Sequence, residues 1–212
     1  MKISLSILNV NYACVYDSLK DILDEVDYIH LDVMDGEFVP NISFGPDFVK
    51  SIKKVSTKPF DTHLMIKHPQ NYIEQFVKAG SDYITFHYEA DCNSMDVINE
   101  IKSYNVKAGI SIKPSTKLDE IKKYLPYLDM VLIMSVEPGF GGQGFMEESI
   151  EKVKELKRLK DENNYNYLIN IDGGINDETA KKISEYVDLA VVGSYLSKAQ
   201  NKKENLEKLK RI

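Results

Sequence analysis

The stretch YIHLDVMDGEFVPN, residues 28–41, places one histidine and two aspartates in a segment that otherwise has the composition of a buried strand. Successive side chains of a strand point to opposite faces, so His30, Asp32 and Met34 share one face. The opposite face is uniformly aliphatic and consists of Ile29, Leu31 and Val33. The alternation predicts a strand that packs its aliphatic face against helices and directs its ionisable groups elsewhere.

Short runs rich in aliphatic and aromatic residues recur along the chain, and a charged stretch with helical periodicity follows nearly every one of them. Eight strands are predicted near residues 3–7, 28–33, 60–65, 82–87, 107–112, 129–135, 167–171 and 188–192. Helices are predicted near 14–26, 46–54, 70–79, 94–104, 117–124, 147–161, 177–185 and 203–210. This alternation predicts one α/β domain over residues 1–212, a (β/α)8 TIM barrel, with an open doubly wound sheet as the alternative.

Local signals for the ends of helices support this division. Pro46 and Pro69 suit the first turn of a helix, where the missing N–H costs no hydrogen bond. Ser94 and Asp177 are the predicted N-caps of two helices, and Gly80 is the predicted C-cap of another.

Several residues that bind metals are predicted to lie inside the barrel. Helices cover the aliphatic face of each strand, so His30 and Asp32 must point inward. Alternation in the third strand, FDTHLM, also turns Asp61 and His63 inward, and Asp172 follows the seventh strand. Taken alone, such a residue is more often a hydrogen-bonded core histidine or a capping aspartate. The convergence of His30, Asp32, His63 and Asp172 predicts a site for one divalent transition metal ion, Zn²⁺, Fe²⁺, Mn²⁺ or Co²⁺.

Other residues near this inner face have weaker or simpler interpretations. His68 precedes a proline in a predicted loop, and His87 ends the fourth strand, where it either lines the cavity or is solvated. Met34, Met65 and Met134 are most simply filling for the barrel, because methionine adapts to irregular gaps. Their position beside the ionisable set predicts a dry wall next to the site.

Glycines occur in the loops that follow the sixth, seventh and eighth predicted strands, in SVEPGFGGQGF, IDGGI and VVGSY. Glycine allows the backbone to approach an anion closely and to present N–H groups to it. Barrel phosphate sites are frequently built from the loops after the seventh and eighth strands. The glycine run after the sixth strand alone would fit a flexible turn equally well. Together the three loops predict a phosphate site made of Gly139, Gly141, Gly142, Gly173, Gly174, Gly193 and Ser194.

Composition limits the possible partners. The 33 acidic and 27 basic residues give a net charge of −6, which argues against binding to nucleic acid or to an anionic membrane surface. No run approaches the length of a membrane span, and the first residues lack a signal-peptide pattern. Cys14 and Cys92 match no zinc or redox spacing. These features predict a cytoplasmic protein that holds a phosphorylated small molecule through backbone amides.

Eight segments together resemble the ribulose-phosphate 3-epimerase family. They are SIL (6–8), HLDVMDGEFVPN (30–41), FGP (44–46), DTHLM (61–65), TFH (85–87), MSVEPGFGGQGF (134–145), DGGI (172–175) and GS (193–194). They extend across nearly the whole chain in the order of the family, and the combination of HLDVMDG, PGFGGQ and DGG is specific.

The resemblance implies a ribulose-phosphate-binding barrel that interconverts D-ribulose 5-phosphate and D-xylulose 5-phosphate, ketopentose phosphates of the pentose phosphate pathway. It implies a metal held by His30, Asp32, His63 and Asp172, with Asp32 as proton acceptor and Asp172 as donor. The implied substrate contacts are Ser6, His63, Gly139, Phe140, Gly141, Gly142, Asp172, Gly173, Gly174, Gly193 and Ser194. Met34, Met65 and Met134 would shield the enediolate. A homo-oligomer, either a dimer or a hexamer, is also implied.

Some residues depart from the family pattern, and other functions remain open. Leu5 and Tyr195 differ at the predicted phosphate end, and Asn170 differs beside the seventh-strand aspartate.

The nearest alternative is an epimerase of a hexulose phosphate such as D-allulose 6-phosphate. A decarboxylase or aldolase would need a lysine inside the barrel, and only Lys113, at the end of the fifth strand, is a candidate. A non-catalytic phosphosugar-binding barrel is a remote alternative.

Overall fold

Eight parallel strands close into a barrel in the computed structural model, which describes all residues from 1 to 212. The strands are β1 (Lys2–Ser6), β2 (Tyr28–Met34), β3 (Phe60–Met65), β4 (Tyr83–His87), β5 (Lys107–Ile112), β6 (Met130–Met134), β7 (Leu168–Asp172) and β8 (Leu189–Val192). The first strand pairs with the last, Leu5 opposite Val192, so the sheet has no free edge. The predicted (β/α)8 barrel is therefore confirmed, and the open doubly wound sheet is excluded.

Helices follow most of the strands on the outside of the barrel. They are α1 (Val15–Leu23), α2 (Pro46–Lys53), α3 (Ile73–Ala79), α4 (Ser94–Ser103), α5 (Ser149–Asn163), α6 (Asp177–Ile183), α7 (Ser194–Ser197) and α8 (Lys202–Lys210). Short 3-10 helices occupy Tyr12–Cys14, Pro69–Asn71, Leu118–Glu120 and Lys122–Tyr127. None of the helices combines the length and the apolar character needed to cross a lipid bilayer.

The helices differ from the prediction in two places. The α-helix predicted near 117–124 is replaced by the two 3-10 segments between β5 and β6, the second of which contains Pro126. A proline inside an α-helix removes a backbone donor and clashes with the preceding turn, so a regular helix is disfavoured there. The short helix α7, which follows β8 directly, was not predicted.

The two predicted N-caps differ from the observed ones by one residue. The N-caps of α4 and α6 are Asn93 and Asn176, whose side chains accept hydrogen bonds from backbone N–H groups of the first turn. The predicted caps, Ser94 and Asp177, are instead the first helical residues. Gly80 ends α3 with a positive φ of 100°, as predicted, because a left-handed cap favours glycine.

The outer faces of the strands form the main core. A cluster of 47 buried apolar residues lies between the barrel and the helices and includes Ile29, Leu31 and Val33 of β2. The aliphatic face of the opening stretch thus packs outward, as the alternation predicts. The inner face of β2 is buried as well but polar, and the strand register places Asp32 directly beside His63 of β3. Strand alternation and register together bring the ionisable groups to one level of the barrel.

Candidate active site

Four side chains from three strands converge inside the barrel. His30 and Asp32 lie on β2, His63 on β3 and Asp172 at the end of β7. Each offers one ligand atom, and these atoms lie within 4.8 Å of one another. The atoms that face the common centre are Nε2 of His30, Oδ1 of Asp32, Nδ1 of His63 and Oδ2 of Asp172. The set predicted from the sequence is therefore brought together.

The chemistry of this donor set fits a metal ion. Two imidazole nitrogens and two carboxylate oxygens form a mixed set that suits Zn²⁺, Fe²⁺, Mn²⁺ or Co²⁺ and lacks thiolate. The two histidines are fully buried, and Asp32 is 3% exposed. Burial of several ionisable groups without a counter-charge costs several kcal/mol, and a bound cation would supply that charge. The cluster can hold a metal ion.

Each histidine of the cluster is also held through its second ring nitrogen. Nδ1 of His30 lies 2.8 Å from Oδ2 of Asp61, and Nε2 of His63 lies 2.9 Å from Nε2 of His87. His87, whose role the sequence left open, is thus buried against the cluster and not solvated. His68, by contrast, is partly exposed and contacts the backbone oxygen of Asp91, away from the cluster.

The first carboxylate of the cluster is stabilised in its charged form. Asp32 accepts a hydrogen bond from the Ser6 hydroxyl at 2.8 Å and contacts both histidines, at 3.1 Å for His30 and 3.3 Å for His63. Burial alone would raise the pKa of Asp32, but the two histidines lower it far below its usual range. Burial alone would lower the pKa of His30, but Asp32 and Asp61 raise it well above its ordinary value.

The second carboxylate has the opposite character. Asp172 has no side-chain hydrogen bond at the center of the cluster; its nearest contacts are 3.8 Å to His30 and 3.9 Å to His63. Burial and the negative charge of Asp32 raise the pKa of Asp172 to about 7. Burial lowers the pKa of His63, so that its imidazole is neutral. Two carboxyl groups in one site thus have very different proton affinities.

A cavity of about 380 Å³ opens above the cluster at the carboxyl end of the strands. Barrel enzymes place their sites at this end. Most of the predicted site residues line the cavity: Ser6, Asp32, Met34, Met65, Met134, Gly139, Phe140, Gly141, Gly142, Asp172, Gly173, Gly174, Gly193 and Ser194. His30 and His63 lie beneath them in the cluster. The structure therefore gathers all the predicted residues, while their individual roles stay predictions.

The loop after β7 depends on its glycines. Gly173 and Gly174 have positive φ angles of 128° and 65°. A Cβ atom on Gly174 would lie 2.5 Å from the backbone nitrogen of Phe145, and one on Gly173 would lie 2.6 Å from Val136. Both conformation and space therefore exclude a side chain here, and the backbone of Gly173 and Gly174 lines this side of the cavity.

Two other loops meet over the cavity. The side chain of Asn41, in the loop after β2, donates a hydrogen bond of 2.8 Å to the backbone oxygen of Gly139 in the loop after β6. Within the loop after β6, the Gln143 side chain donates to the backbone oxygens of Glu137 and Phe140, and these hydrogen bonds connect the two ends of that loop. The Phe140 ring is 54% exposed, so the tip of this loop faces solvent.

Some lining residues were not predicted from the sequence. Asn9, Asn176, Thr179 and Tyr195 add polar groups to the cavity wall. Asn176 and Thr179 form a capping box at the start of α6, a pattern whose spacing was available in the sequence. Asn9 lies next to Gly141, and nothing local in the sequence indicates that contact.

The fold and the site define a (β/α)8-barrel enzyme with a buried cluster that can hold a metal ion beneath a glycine-lined cavity. A sequence model of the ribulose-phosphate 3 epimerase family matches residues 2–197. The chain belongs to this family, whose members are isomerases, and the resemblance noted in the sequence is confirmed.

Individual relatives match over almost the whole chain. The ribulose-phosphate 3-epimerase of Bacillus subtilis is 40% identical over 213 residues, covering 99% of this chain and 98% of the relative. That of Aquifex aeolicus is 40% identical over 209 residues, covering 98% and 94%. The chloroplastic ribulose-5-phosphate-3-epimerase of Arabidopsis thaliana is 39% identical over 212 residues, covering 98% and 75%.

Solved structures with low sequence identity share the fold. 3-Hexulose-6-phosphate synthase from Salmonella typhimurium has a TM-score of 0.73 at 17% identity and covers 100% of this chain and 97% of its own. 3-Keto-L-gulonate-6-phosphate decarboxylase from Vibrio cholerae has a TM-score of 0.77 at 14% identity and covers 99% and 95%. These likenesses establish the barrel architecture alone.

Proposed function

We propose that this protein interconverts D-ribulose 5-phosphate and D-xylulose 5-phosphate by inverting C3. The observation that carries the proposal is the pair Asp32 and Asp172, two carboxyl groups that come from β2 and β7 and line one cavity. Inversion next to a ketone requires one group to remove a proton and another to return a proton on the opposite face.

Each carboxyl group has a distinct task in this proposal. Asp32, ionised and oriented by the Ser6 hydroxyl at 2.8 Å, removes the proton from C3. Asp172, which stands across the cavity on β7, delivers a proton to the other face. The two residues lie on β2 and β7, with β1 and β8 between them, so they approach the substrate from different sides. The roles reverse when the reaction runs in the other direction.

The metal is the proposed cofactor, one divalent transition metal ion (Zn²⁺, Fe²⁺, Mn²⁺ or Co²⁺). Held by His30, Asp32, His63 and Asp172, it would supply Lewis-acid stabilisation of the negative charge that develops on the substrate oxygens. The histidines serve as neutral nitrogen donors once they lose any extra proton. Met34 and Met65, buried in one small cluster near the cavity, exclude water from the reacting carbons together with Met134.

The phosphate group is proposed to bind at the glycine loops after β6, β7 and β8. Backbone N–H groups of Gly173, Gly174 and Gly193, which line the cavity, would donate to the phosphate, since glycine lets an anion approach the backbone closely. This arrangement suits a chain with a net charge of −6, since it needs no surface patch of lysine or arginine. Ser6, Phe140 and Ser194 complete the proposed substrate contacts.

The site favours this reaction over the alternatives. Lys113, the candidate lysine for aldolase or decarboxylase chemistry, places its ammonium group 4.1 Å from the ring centroid of Phe38 and is absent from the lining of the main cavity. A barrel that only bound phosphosugars would have no need of two carboxyl groups with opposed proton affinities. A hexulose phosphate epimerase would use the same chemistry, so only substrate length separates it from the proposed activity.

The discriminating experiment compares kcat/KM for D-ribulose 5-phosphate and D-allulose 6-phosphate with metal-loaded protein. We expect the pentulose phosphate to be preferred by at least about tenfold, because one additional carbon must be accommodated between the cluster and the glycine loops. Equal or higher kcat/KM for the hexulose phosphate would favour the alternative function. Absence of turnover with both would contradict the epimerase proposal.

The cellular setting is proposed on simpler grounds. The free thiols of Cys14 and Cys92 and the absence of a disulfide fit a cytoplasmic enzyme of the pentose phosphate pathway. The acidic net charge supports partners that are small phosphorylated ketoses, not nucleic acid or membranes. Assembly into a dimer or hexamer follows only from the family resemblance, and light scattering of the purified protein would test it.

A further inference from the structure

A series of hydrogen-bond contacts extends from the cluster to the loop after β4. His63 contacts His87 through their Nε2 atoms at 2.9 Å, and Nδ1 of His87 lies 3.1 Å from Oε2 of Glu89. Only one proton can occupy the contact between the two imidazoles, so one nitrogen donates and the other accepts. Which atom donates and which accepts along these hydrogen bonds is therefore decided at the outer end, by Glu89.

Glu89 is suited to act as the acceptor. Burial alone would raise the pKa of Glu89, but the hydrogen bonds from His87, Thr116 and the Lys113 backbone lower it to about 2. An ionised carboxylate can only accept, so Nδ1 of His87 must carry a proton. Because a neutral imidazole carries a proton on only one ring nitrogen, Nε2 of His87 is then the acceptor in its contact with His63. His63 must consequently donate from Nε2, which leaves the lone pair of Nδ1 facing the cluster.

The acceptor is itself fixed in place by the loop after β5. Oε1 of Glu89 accepts hydrogen bonds from the Lys113 backbone N–H, at 2.8 Å, and from the Thr116 hydroxyl. The Lys152 ammonium group of α5 donates to the backbone oxygens of Lys113, Pro114 and Thr116, at 3.2, 2.6 and 2.7 Å. Both carboxylate oxygens of Glu89 are thus used, one toward the cluster and one toward a loop that the half-buried Lys152 holds.

We infer that His87 and Glu89 are positioning residues that hold His63 in the tautomer whose Nδ1 can bind the metal. The inference rests on the proposed metal site and adds two residues and an anchoring loop to it. Outer partners of this kind orient metal-binding histidines and raise their basicity. Neither residue lines the cavity, so neither touches the substrate.

The test is the Zn²⁺ dissociation constant of Glu89→Gln, measured by competition with a chromophoric chelator. A glutamine amide has one oxygen and one NH₂ group, so it cannot accept from both His87 and the Lys113 backbone N–H. Its NH₂ group would face one of these two donors. We expect Zn²⁺ affinity to fall about 10–100-fold. Glu120→Gln is the matched control, because Glu120 is exposed and lies outside the chain of contacts; its Zn²⁺ affinity should equal that of the wild type. An affinity of Glu89→Gln within about twofold of the wild type would overturn the inference.

A second measurement needs no substitution. In ¹⁵N NMR spectra of the zinc-loaded wild type, we expect a proton on Nε2 of His63 and on Nδ1 of His87; a proton on Nδ1 of His63 would overturn the inference. If Glu89→Gln does not fold, Thr116→Val is the second variant, because it removes one of the hydrogen bonds that hold Glu89. We expect it to weaken Zn²⁺ binding severalfold, and an unchanged Zn²⁺ affinity would overturn the inference. Failure of the wild type to bind Zn²⁺ would instead contradict the proposed metal site itself.

Discussion

Replacing Asp172 by asparagine is expected to stabilise the metal-free protein while abolishing epimerisation. The carboxylate of Asp172 has no hydrogen-bond donor within its cluster contacts, and its closest histidine atoms are 3.8 and 3.9 Å away. Burial and the charge of Asp32 raise its pKa from 3.8 to about 7. Ionisation of Asp172 therefore destabilises the folded metal-free protein. Asparagine removes this ionisable group and nearly keeps the shape of the side chain.

The magnitude follows from the pKa change. A change from 3.8 to about 7 corresponds to about 4 kcal/mol of unfavourable free energy when the group is ionised in both states. The native state binds more protons than the unfolded chain between these values, so stability falls as pH rises through this range. An asparagine amide without full hydrogen bonding costs about 1–2 kcal/mol, which leaves a net gain of about 2–3 kcal/mol at pH 8. For a chain of this length, Tm should rise by about 5–10 °C.

Asp32→Asn provides the matched comparison with the opposite sign. The Asp32 carboxylate accepts from Ser6 and contacts both histidines, and they hold its pKa far below the usual range despite burial. That stability is present above the ordinary pKa of an aspartate and is lost only as pH falls through the lowered value. Neutralising the group at pH 8 should therefore destabilise the metal-free protein, on the order of 3 kcal/mol.

The assay is thermal unfolding by circular dichroism at pH 5 and pH 8, after removal of metal by a chelator. The advantage of Asp172→Asn over the wild type should be larger at pH 8 than at pH 5. Both variants should lose epimerase activity with metal restored. An Asp172→Asn variant no more stable than the wild type at pH 8 would contradict this prediction, and so would a shift of Tm in the same direction for both variants.

Two further predictions concern the glycine loop and the pH dependence of metal binding. Gly174→Ala should lower the free energy of unfolding by about 2–4 kcal/mol, because its Cβ would lie 2.5 Å from the backbone nitrogen of Phe145 at a φ of 65°. Gly144→Ala, with open space around it, is the control in the same urea titration. Metal affinity should fall about 10–100-fold from pH 7 to pH 6, because His30 and Asp172, whose pKa values are raised, must release protons on binding. Titration calorimetry at several pH values would detect this, and pH-independent affinity would contradict it.

Strand alternation in the sequence was sufficient to predict the inner face of the barrel. The two-residue period of β2 and β3 turns His30, Asp32 and His63 inward whatever the exact strand ends are. The four-residue cluster could be predicted because parallel strands of a barrel all end at the same face. The strand bounds therefore mattered less than the phase of the alternation.

The outer partners of the histidines could not be predicted in this way. Asp61 was correctly predicted to point inward, but its contact with His30 depends on the register between β2 and β3. The link from His87 to Glu89 depends on the loop after β5, which holds the carboxylate through Lys113, 24 residues further along the chain. Contacts of this kind arise from tertiary packing and leave no periodic signal.

Errors at helix ends have a similarly local origin. Asn93 and Ser94 are adjacent and both suit an N-cap, and only the extended backbone at Asn93 decides between them. The same ambiguity exists at Asn176 and Asp177. The segment near 117–124 had helical periodicity, but the proline that follows it shortens the structure to 3-10 turns.

The most direct test of the account is proton exchange at C3 of D-ribulose 5-phosphate in deuterated water, followed by ¹H NMR with metal-loaded protein. The two-carboxylate mechanism predicts that each xylulose 5-phosphate molecule formed carries solvent deuterium at C3, and that Asp32→Asn prevents both exchange and product formation. Xylulose 5-phosphate formed without deuterium at C3 would contradict the two-carboxylate mechanism. Near-normal proton exchange in Asp32→Asn would contradict it as well.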